Sequence, residues 1–190
     1  MESRWIAAAK GGDAYAFEQL MAAYEKKIYC LCLRMMGNSH DGEDCAQEAM
    51  LRIWQKLPQF RGDAAFSTWV YRVTAALCMD ALRKRQRTQK ESLEALSENG
   101  FDAQDDAPTP EEATEQKAQR AMIAEAVDAV PEQMRSVFLL RDVHGLSVED
   151  TAKALGVSAG TVKSRLFRAR EKIAENLRAQ GVTGGKRRAV

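Results

Sequence analysis

Lys163, Ser164, Phe167 and Arg168 fall together on one side of a helical stretch, with Arg165, Arg170 and Lys172 flanking them. Lysine and arginine reach guanine edges or phosphates, serine reaches either, and an aromatic edge can meet a thymine methyl. At about 100° per residue, Val162, Leu166, Ala169, Ile173 and Leu177 share a narrow sector of the same stretch, which therefore has a side to bury. A charged stripe alone is better explained by a solvated helix face. The exposed aromatic argues against that explanation, because Phe167 forgoes burial unless a partner covers it.

The residues before this stretch supply a tight corner. In Leu146-Ser147-Val148-Glu149-Asp150-Thr151-Ala152-Lys153-Ala154-Leu155-Gly156, Ser147 is placed to cap a short helix, with Asp150 as its capping-box partner. Gly156 suits the left-handed position that ends that helix, Val157 can plug the angle, and Ser158 can cap the next one. Small Ala152 permits close helix crossing. Leu146 to Leu177 thus reads as a helix-turn-helix whose second helix fits a major groove.

Two further stretches carry chemistry. Asp41-Gly42-Glu43-Asp44-Cys45-Ala46-Gln47-Glu48 gathers acids at a helix start, which the macrodipole favours by a few tenths to about 1 kcal/mol each, and Trp54 follows on the same helix. Phe60-Arg61-Gly62-Asp63-Ala64-Ala65-Phe66-Ser67-Thr68-Trp69-Val70-Tyr71-Arg72 leads to Arg83-Lys84-Arg85-Gln86-Arg87. With Phe66, Val70, Val73 and Leu77 inward, Trp69, Arg72, Ala76, Asp80, Arg83 and Arg87 share another side. Interleaved aromatic and cationic groups suit unstacked bases and phosphates.

These sites need elements to hold them, and the periodicity is helical on both sides of the middle of the chain. The fold expected is all-α, with two small helical domains joined by a flexible acidic linker. Asp13 can cap a helix running through Phe17, Leu20, Met21, Tyr24, Ile28, Leu31 and Met35 to Gly37. A second helix runs from near Asp41 to Leu57-Pro58, and a third from about Ser67 toward Arg87. Further helices are expected at about 112–129, 131–143, 147–155 and 159–179.

The net charge of +1 hides strong segregation. Residues 1–87 hold 13 basic and 10 acidic side chains, 130–190 hold 12 and 6, and 88–116 carry net −8. That middle segment has too few apolar groups to offset the entropy of ordering it, so it reads as a linker spanning roughly 100 Å when fully extended. The expected division is 1–87, linker 88–116, 117–180, and a basic tail 181–190. No run of about 18 apolar residues occurs and the N-terminus lacks a secretory layout, so neither membrane insertion nor export is expected. Cys30, Cys32, Cys45 and Cys78 sit at no zinc-ligand spacing, and neither His40 nor His144 completes a site. They read as reduced thiols in packing roles; no metal or cofactor is expected.

In this order, "DGEDCAQEAMLRIWQKLPQFRG…FSTWVYRV", an acidic linker and "LSVEDTAKALGVSAGTVKSRLFRAREKI" resemble the extracytoplasmic-function (group IV) sigma factors, over nearly the whole chain outside the linker and last dozen residues. The resemblance implies that Asp44, Gln47, Glu48 and Trp54 grip the clamp helices of the polymerase β′ subunit. It implies that Phe60, Arg61, Phe66, Trp69, Arg72 and Arg83 hold the −10 element and its melted non-template strand. Lys163, Ser164, Arg165, Phe167, Arg168 and Arg170 match the −35 reader. The implied partners are core RNA polymerase (β′ clamp helices and β flap), promoter DNA and an anti-sigma protein, in the cytoplasm, with no small-molecule substrate. One departure is Ala76, where many members carry asparagine; a methyl group cannot make an amide's hydrogen bonds to a base.

Two other classes compete. A DNA-binding regulator sharing only the C-terminal corner has no need of the 41–87 block. An enzyme would need a phosphate-binding glycine loop, a metal cluster or a nucleophile elbow, none of which the sequence contains.

Overall fold

The computed structural model describes residues 1–95 and 115–181, which form nine α-helices and no strand. Most of the linker and nearly all of the basic tail lie outside the described residues. The N-terminal body comprises α1 (Glu2–Lys10), α2 (Ala14–Met21), α3 (Glu25–Met36), α4 (Ser39–Lys56), a 3₁₀ turn (Leu57–Gln59) and α5 (Phe66–Ala95). The C-terminal body comprises α6 (Glu115–Asp128), α7 (Glu132–Phe138) with a π turn continuing it (Leu139–Val143), α8 (Val148–Leu155) and α9 (Ala159–Ala179).

The expected helix from Asp13 to Gly37 is two helices, and α1 precedes them. Asp13 does cap the first, accepting from the Ala16 N–H, and Gly37 ends the second at φ 76°. The break falls at Ala22–Tyr24. Tyr24 leaves the helical path and its hydroxyl donates to Glu2 Oε1 at 2.5 Å, while its ring meets Phe66 and Tyr71 edge-on. Burial and the Glu2 carboxylate hold that phenol well above the ordinary tyrosine range. An apolar stripe cannot report such a break, because both helices bury the same side.

The linker was expected from residue 88, but α5 runs eight residues further, to Ala95. Its continuation, Thr88-Gln89-Lys90-Glu91-Ser92-Leu93-Glu94-Ala95, is rich in helix formers, and local propensity outweighs the acidic composition there. After the linker, every expected helix is present within about three residues.

Helices α3, α4 and α5 form the centre of the N-terminal body. Ile28, Leu31 and Met35 of α3, Ala49 and Ile53 of α4, and Val70, Ala75, Cys78 and Leu82 of α5 are essentially inaccessible. Gly42 sits where α3 and α4 cross: a Cβ there would lie 2.8 Å from the Leu33 Cα and 2.6 Å from its Cδ2. At the start of α4, Asn38 caps the Asp41 N–H, and the Asp41 carboxylate pairs with Arg85 of α5 at 3.1 Å. The Asn38 amide foremost, and then Arg85, hold that carboxyl below its ordinary range. Cys32, Cys45 and Cys78 are buried in this body, with Cys78 Sγ 3.7 Å from Cys32 Sγ; Cys30 is exposed. No three of the described His, Cys, Asp and Glu residues form a metal-binding group.

The two bodies pack together, and one apolar core runs from α1 into α9. Helix α8 lies along α5, and the His144 ring stands 4.2 Å from that of Tyr71. Burial, with Lys27 nearby, pushes the His144 imidazole down to about 4.

Two outcomes are expected. Gly42→Ala gains about 1 kcal/mol of helix propensity but forces apart backbone that cannot yield, for a net loss of about 1–2 kcal/mol; calorimetry should show Tm lowered by several degrees. Because the folded chain keeps His144 neutral, it binds fewer protons than the unfolded chain between about pH 6.5 and pH 4. This contribution is complete above about pH 6.5 and is lost as pH falls toward 4. Denaturant titrations should therefore show wild type losing about 2–3 kcal/mol more than His144→Asn between pH 7 and pH 4.5. Parallel pH profiles would refute the assignment.

Candidate nucleic-acid interface

The helix-turn-helix is built as its residues direct. Ser147 Oγ accepts from the Asp150 N–H at 2.9 Å and donates to the Asp150 carboxylate at 2.8 Å. Gly156 ends α8 at φ 66°, a left-handed geometry that glycine adopts without strain. Ser158 then accepts from the Thr161 N–H at the start of α9. Val162, Leu166, Ala169 and Ile173 are buried against the rest of the C-terminal body. Arg141 is tied to the Leu146 carbonyl, which fixes the approach to α8.

This packing sets the outward face of α9. Lys163, Ser164 and Arg168 are exposed, and Phe167 is 64% exposed among them. The other two cations are held back. Arg165 donates to Gln133 Oε1 at 2.6 Å, and Arg170 makes a two-armed pair with Asp142 at 2.7 Å. The Asp142 carboxylate raises the Arg170 guanidinium further and aims it along the helix side. The free face is therefore narrower than the full basic stripe: Lys163, Ser164, Phe167 and Arg168 lead, and Arg165 and Arg170 brace the edges.

The aromatic-cationic block is assembled around α5. Phe60, Phe66 and Trp69 pack mutually, with ring centroids 5.3–5.7 Å apart. Phe66 does not present its ring as expected of a strand-binding residue. It is 4% exposed, because the first turn of α5 points it under Phe60 and Trp69, and it supports those two half-buried rings from below. Arg61 is exposed beside them.

Trp69, Arg72 and Ala76 do share a side of α5, where they are half-buried. Together with Lys56, Gln59 and Val73 they line an open groove of about 300 Å³ bordered by Lys153 and Ala154 of α8. Arg72 pairs with Asp150 at 3.5 Å. Arg83 donates to the Leu155 carbonyl at 3.2 Å and pairs with Asp80 at 3.1 Å.

Asp44, Gln47 and Glu48 are exposed on α4, Glu48 pairing with Arg52 at 2.9 Å. Trp54 is half-buried against Phe17, at 4.8 Å between ring centroids, so it shapes the end of this face more than it projects from it. Two features of the face were missed in the sequence reading. Leu51 is 58% exposed between the polar groups, and Tyr29, Gln47 and Met50 border a groove of about 550 Å³ between α3 and α4. Leu51 is one helical turn from Gln47 and could have been placed there by spacing; the groove needs the α3–α4 crossing.

The chain matches the family models for sigma-70 region 2 over residues 20–88 and sigma-70 region 4 over residues 120–173. It is 33% identical to the ECF RNA polymerase sigma factor SigW of Bacillus subtilis over 182 residues, covering 94% of this chain and 97% of that protein. It is 36% identical to the RNA polymerase sigma-H factor of Pseudomonas aeruginosa, covering 85% of this chain and 86% of that protein. Its fold is similar to that of the sigma factor RpoE of Bartonella quintana, solved with the anti-sigma factor NepR: TM-score 0.65, 18% identity, 85% of this chain and 96% of that one. With its helix-turn-helix, its aromatic-cationic helix and full-length relatives at a third identity, the chain belongs to the extracytoplasmic-function sigma factors of RNA polymerase, which direct promoter-specific transcription initiation.

Proposed function

We propose a division of labour among the exposed groups. The face of α4 carrying Asp44, Gln47, Glu48 and Leu51, with Trp54 at its end, docks on the basic clamp helices of the polymerase β′ subunit. Lys163, Ser164, Phe167 and Arg168 read the −35 element in its major groove. Arg165 and Arg170 exchange or share their present partners with phosphates at the groove edge. Phe60, Trp69, Arg61, Arg72 and Arg83 hold the melted non-template strand of the −10 element, the rings stacking on bases and the guanidinium groups neutralising phosphates. Phe66 supports that platform. Residues 1–87 and 117–180 act as the two promoter-binding units, and the acidic linker keeps them on one polymerase. The β flap holds the second unit in place.

The observation that carries this reading is Phe167, left exposed among Lys163, Ser164 and Arg168 on a helix whose opposite side is buried. The cost of leaving that ring in water is recovered when a thymine methyl or base edge covers it. The protein performs no covalent chemistry in this scheme. Holding unstacked bases supplies the energy of opening, and the polymerase supplies the catalysis. It acts in the cytoplasm, and among the described residues no helix is long and apolar enough to cross a membrane. By likeness to the RpoE–NepR pair, an anti-sigma protein is the regulator that covers these faces.

Transcription from a promoter library by sigma-free core polymerase tests the scheme, with initiation expected only when the chain is added. A chain that binds duplex DNA tightly alone yet never supports initiation would instead be a DNA-binding regulator. Lys163→Ala and Phe167→Ala should each cost about 1–3 kcal/mol of −35 recognition while changing folding stability by less than about 0.5 kcal/mol. Lys163→Ala should also lower the salt slope of binding if its contact is to phosphate.

A further inference from the structure

Each of the three central helices of the N-terminal body sends one thiol into the same part of the core: Cys32 from α3, Cys45 from α4 and Cys78 from α5. Cys78 touches both of the others. Its Sγ stands 3.7 Å from Cys32 Sγ, and its S–H also hydrogen-bonds to Cys45. The three make no metal-binding group, so the chemistry open to them is with one another.

Packing alone would treat these side chains alike, as small apolar groups. Their surroundings differ. Cys32 and Cys78 are fully inaccessible, whereas Cys45 is 7% exposed and borders an open groove of about 340 Å³ lined also by Met36, Ala81, Lys84 and Arg85. Hydrogen peroxide is little larger than water and reaches a sulfur at such a groove without any unfolding. Acidity separates the thiols further. The Cys78 S–H foremost holds the Cys45 thiol below its ordinary range, against burial and the carboxylates of Asp41, Asp44 and Glu48. Cys78, hydrogen-bonded to Cys32 and Cys45 and buried, is held far above that range. Because the thiolate is the nucleophile, Cys45 combines access with the larger share of the reactive form.

We infer that Cys45 is a hydroperoxide-reactive modification site with Cys78 as its resolving thiol, the two closing a reversible disulfide between α4 and α5. The Cys45 thiolate attacks one oxygen of hydrogen peroxide, the O–O bond breaks, and hydroxide leaves and takes up a proton as water. Cys45 is then a sulfenic acid. The Cys78 sulfur displaces the hydroxyl group from it, which departs with the Cys78 proton as a second water. Two thiols have lost two electrons, and one peroxide has become two waters. An added dithiol attacks the bridge and returns both thiols. The bond joins the helix that carries Asp44, Gln47 and Glu48 to the helix that carries Trp69, Arg72 and Arg83, while its chemistry is independent of the roles proposed for those residues.

The test uses the full chain with Cys30→Ser, which removes the exposed thiol and its intermolecular bridges. The folded, reduced protein is treated with hydrogen peroxide, free thiols are alkylated in denaturant, and peptides are mapped by mass spectrometry. Cys45 and Cys78 should be lost together as one bridge while Cys32 still alkylates, and dithiothreitol should restore both. With Cys78→Ser added, the bridge should vanish and dimedone, which captures sulfenic acids, should label Cys45. Cys78→Ala repeats that arm with an apolar side chain if the serine variant folds poorly. With Cys45→Ser instead, oxidation of Cys78 should slow by about tenfold or more, since its own thiolate is scarce and enclosed. Oxidation of Cys78 at an unchanged rate in the Cys45→Ser chain would overturn the inference. So would thiols that resist peroxide until denaturant is present, or dimedone labelling that bypasses Cys45. Neither polymerase nor DNA enters the assay, so its outcome is separate from that of the transcription test.

Discussion

Helix α5 carries two commitments at once, and the rest of the molecule is arranged around them. One side buries Phe66, Val70, Ala75, Cys78 and Leu82 against α3 and α4, which makes the N-terminal body. That burial turns Trp69, Arg72, Ala76 and Arg83 to another side, where the aromatic and cationic groups need a partner. A row of guanidinium groups beside a tryptophan suits a strand of phosphates and bases. Here α8 supplies one carboxylate, Asp150, and the Leu155 carbonyl.

The same economy governs the C-terminal body. Ser147, Gly156 and Ser158 fix the angle between α8 and α9 through caps and one left-handed residue, so the outward face of α9 is set by backbone chemistry. Arg165 and Arg170 are anchored to Gln133 and Asp142, which holds both guanidinium groups along the sides of α9. Net charge is a poor guide to such a protein. A value of +1 arises from basic ends and an acidic middle, and Asp128, Glu132 and Asp150 of the C-terminal body pair with cations of the N-terminal one.

Legibility differed by the range of the interactions involved. The helix-turn-helix could be read almost residue by residue, because capping, the left-handed glycine and the buried sector of α9 are all set within a few residues of one another. The split of the first expected helix could not, since Tyr24 leaves the helix for Glu2, Phe66 and Tyr71, partners distant in the chain. Phe66 shows a subtler limit. Its place in an aromatic-cationic run suited nucleic acid, its place in the α5 period suited the core, and packing resolved the conflict toward the core.

By itself the sequence determined the all-helical class, the C-terminal corner, the outward chemistry of α9 and the family, because each depends on short-range spacing or on the order of motifs along the chain. Only the tertiary structure decided which cations are free and which are paired, that three distant thiols share one core, and that α8 packs beside Arg72 and Arg83 of α5. The physical reason is that those outcomes turn on which surfaces meet across long separations. Spacing along a helix says which way a side chain points, but not what will be waiting there.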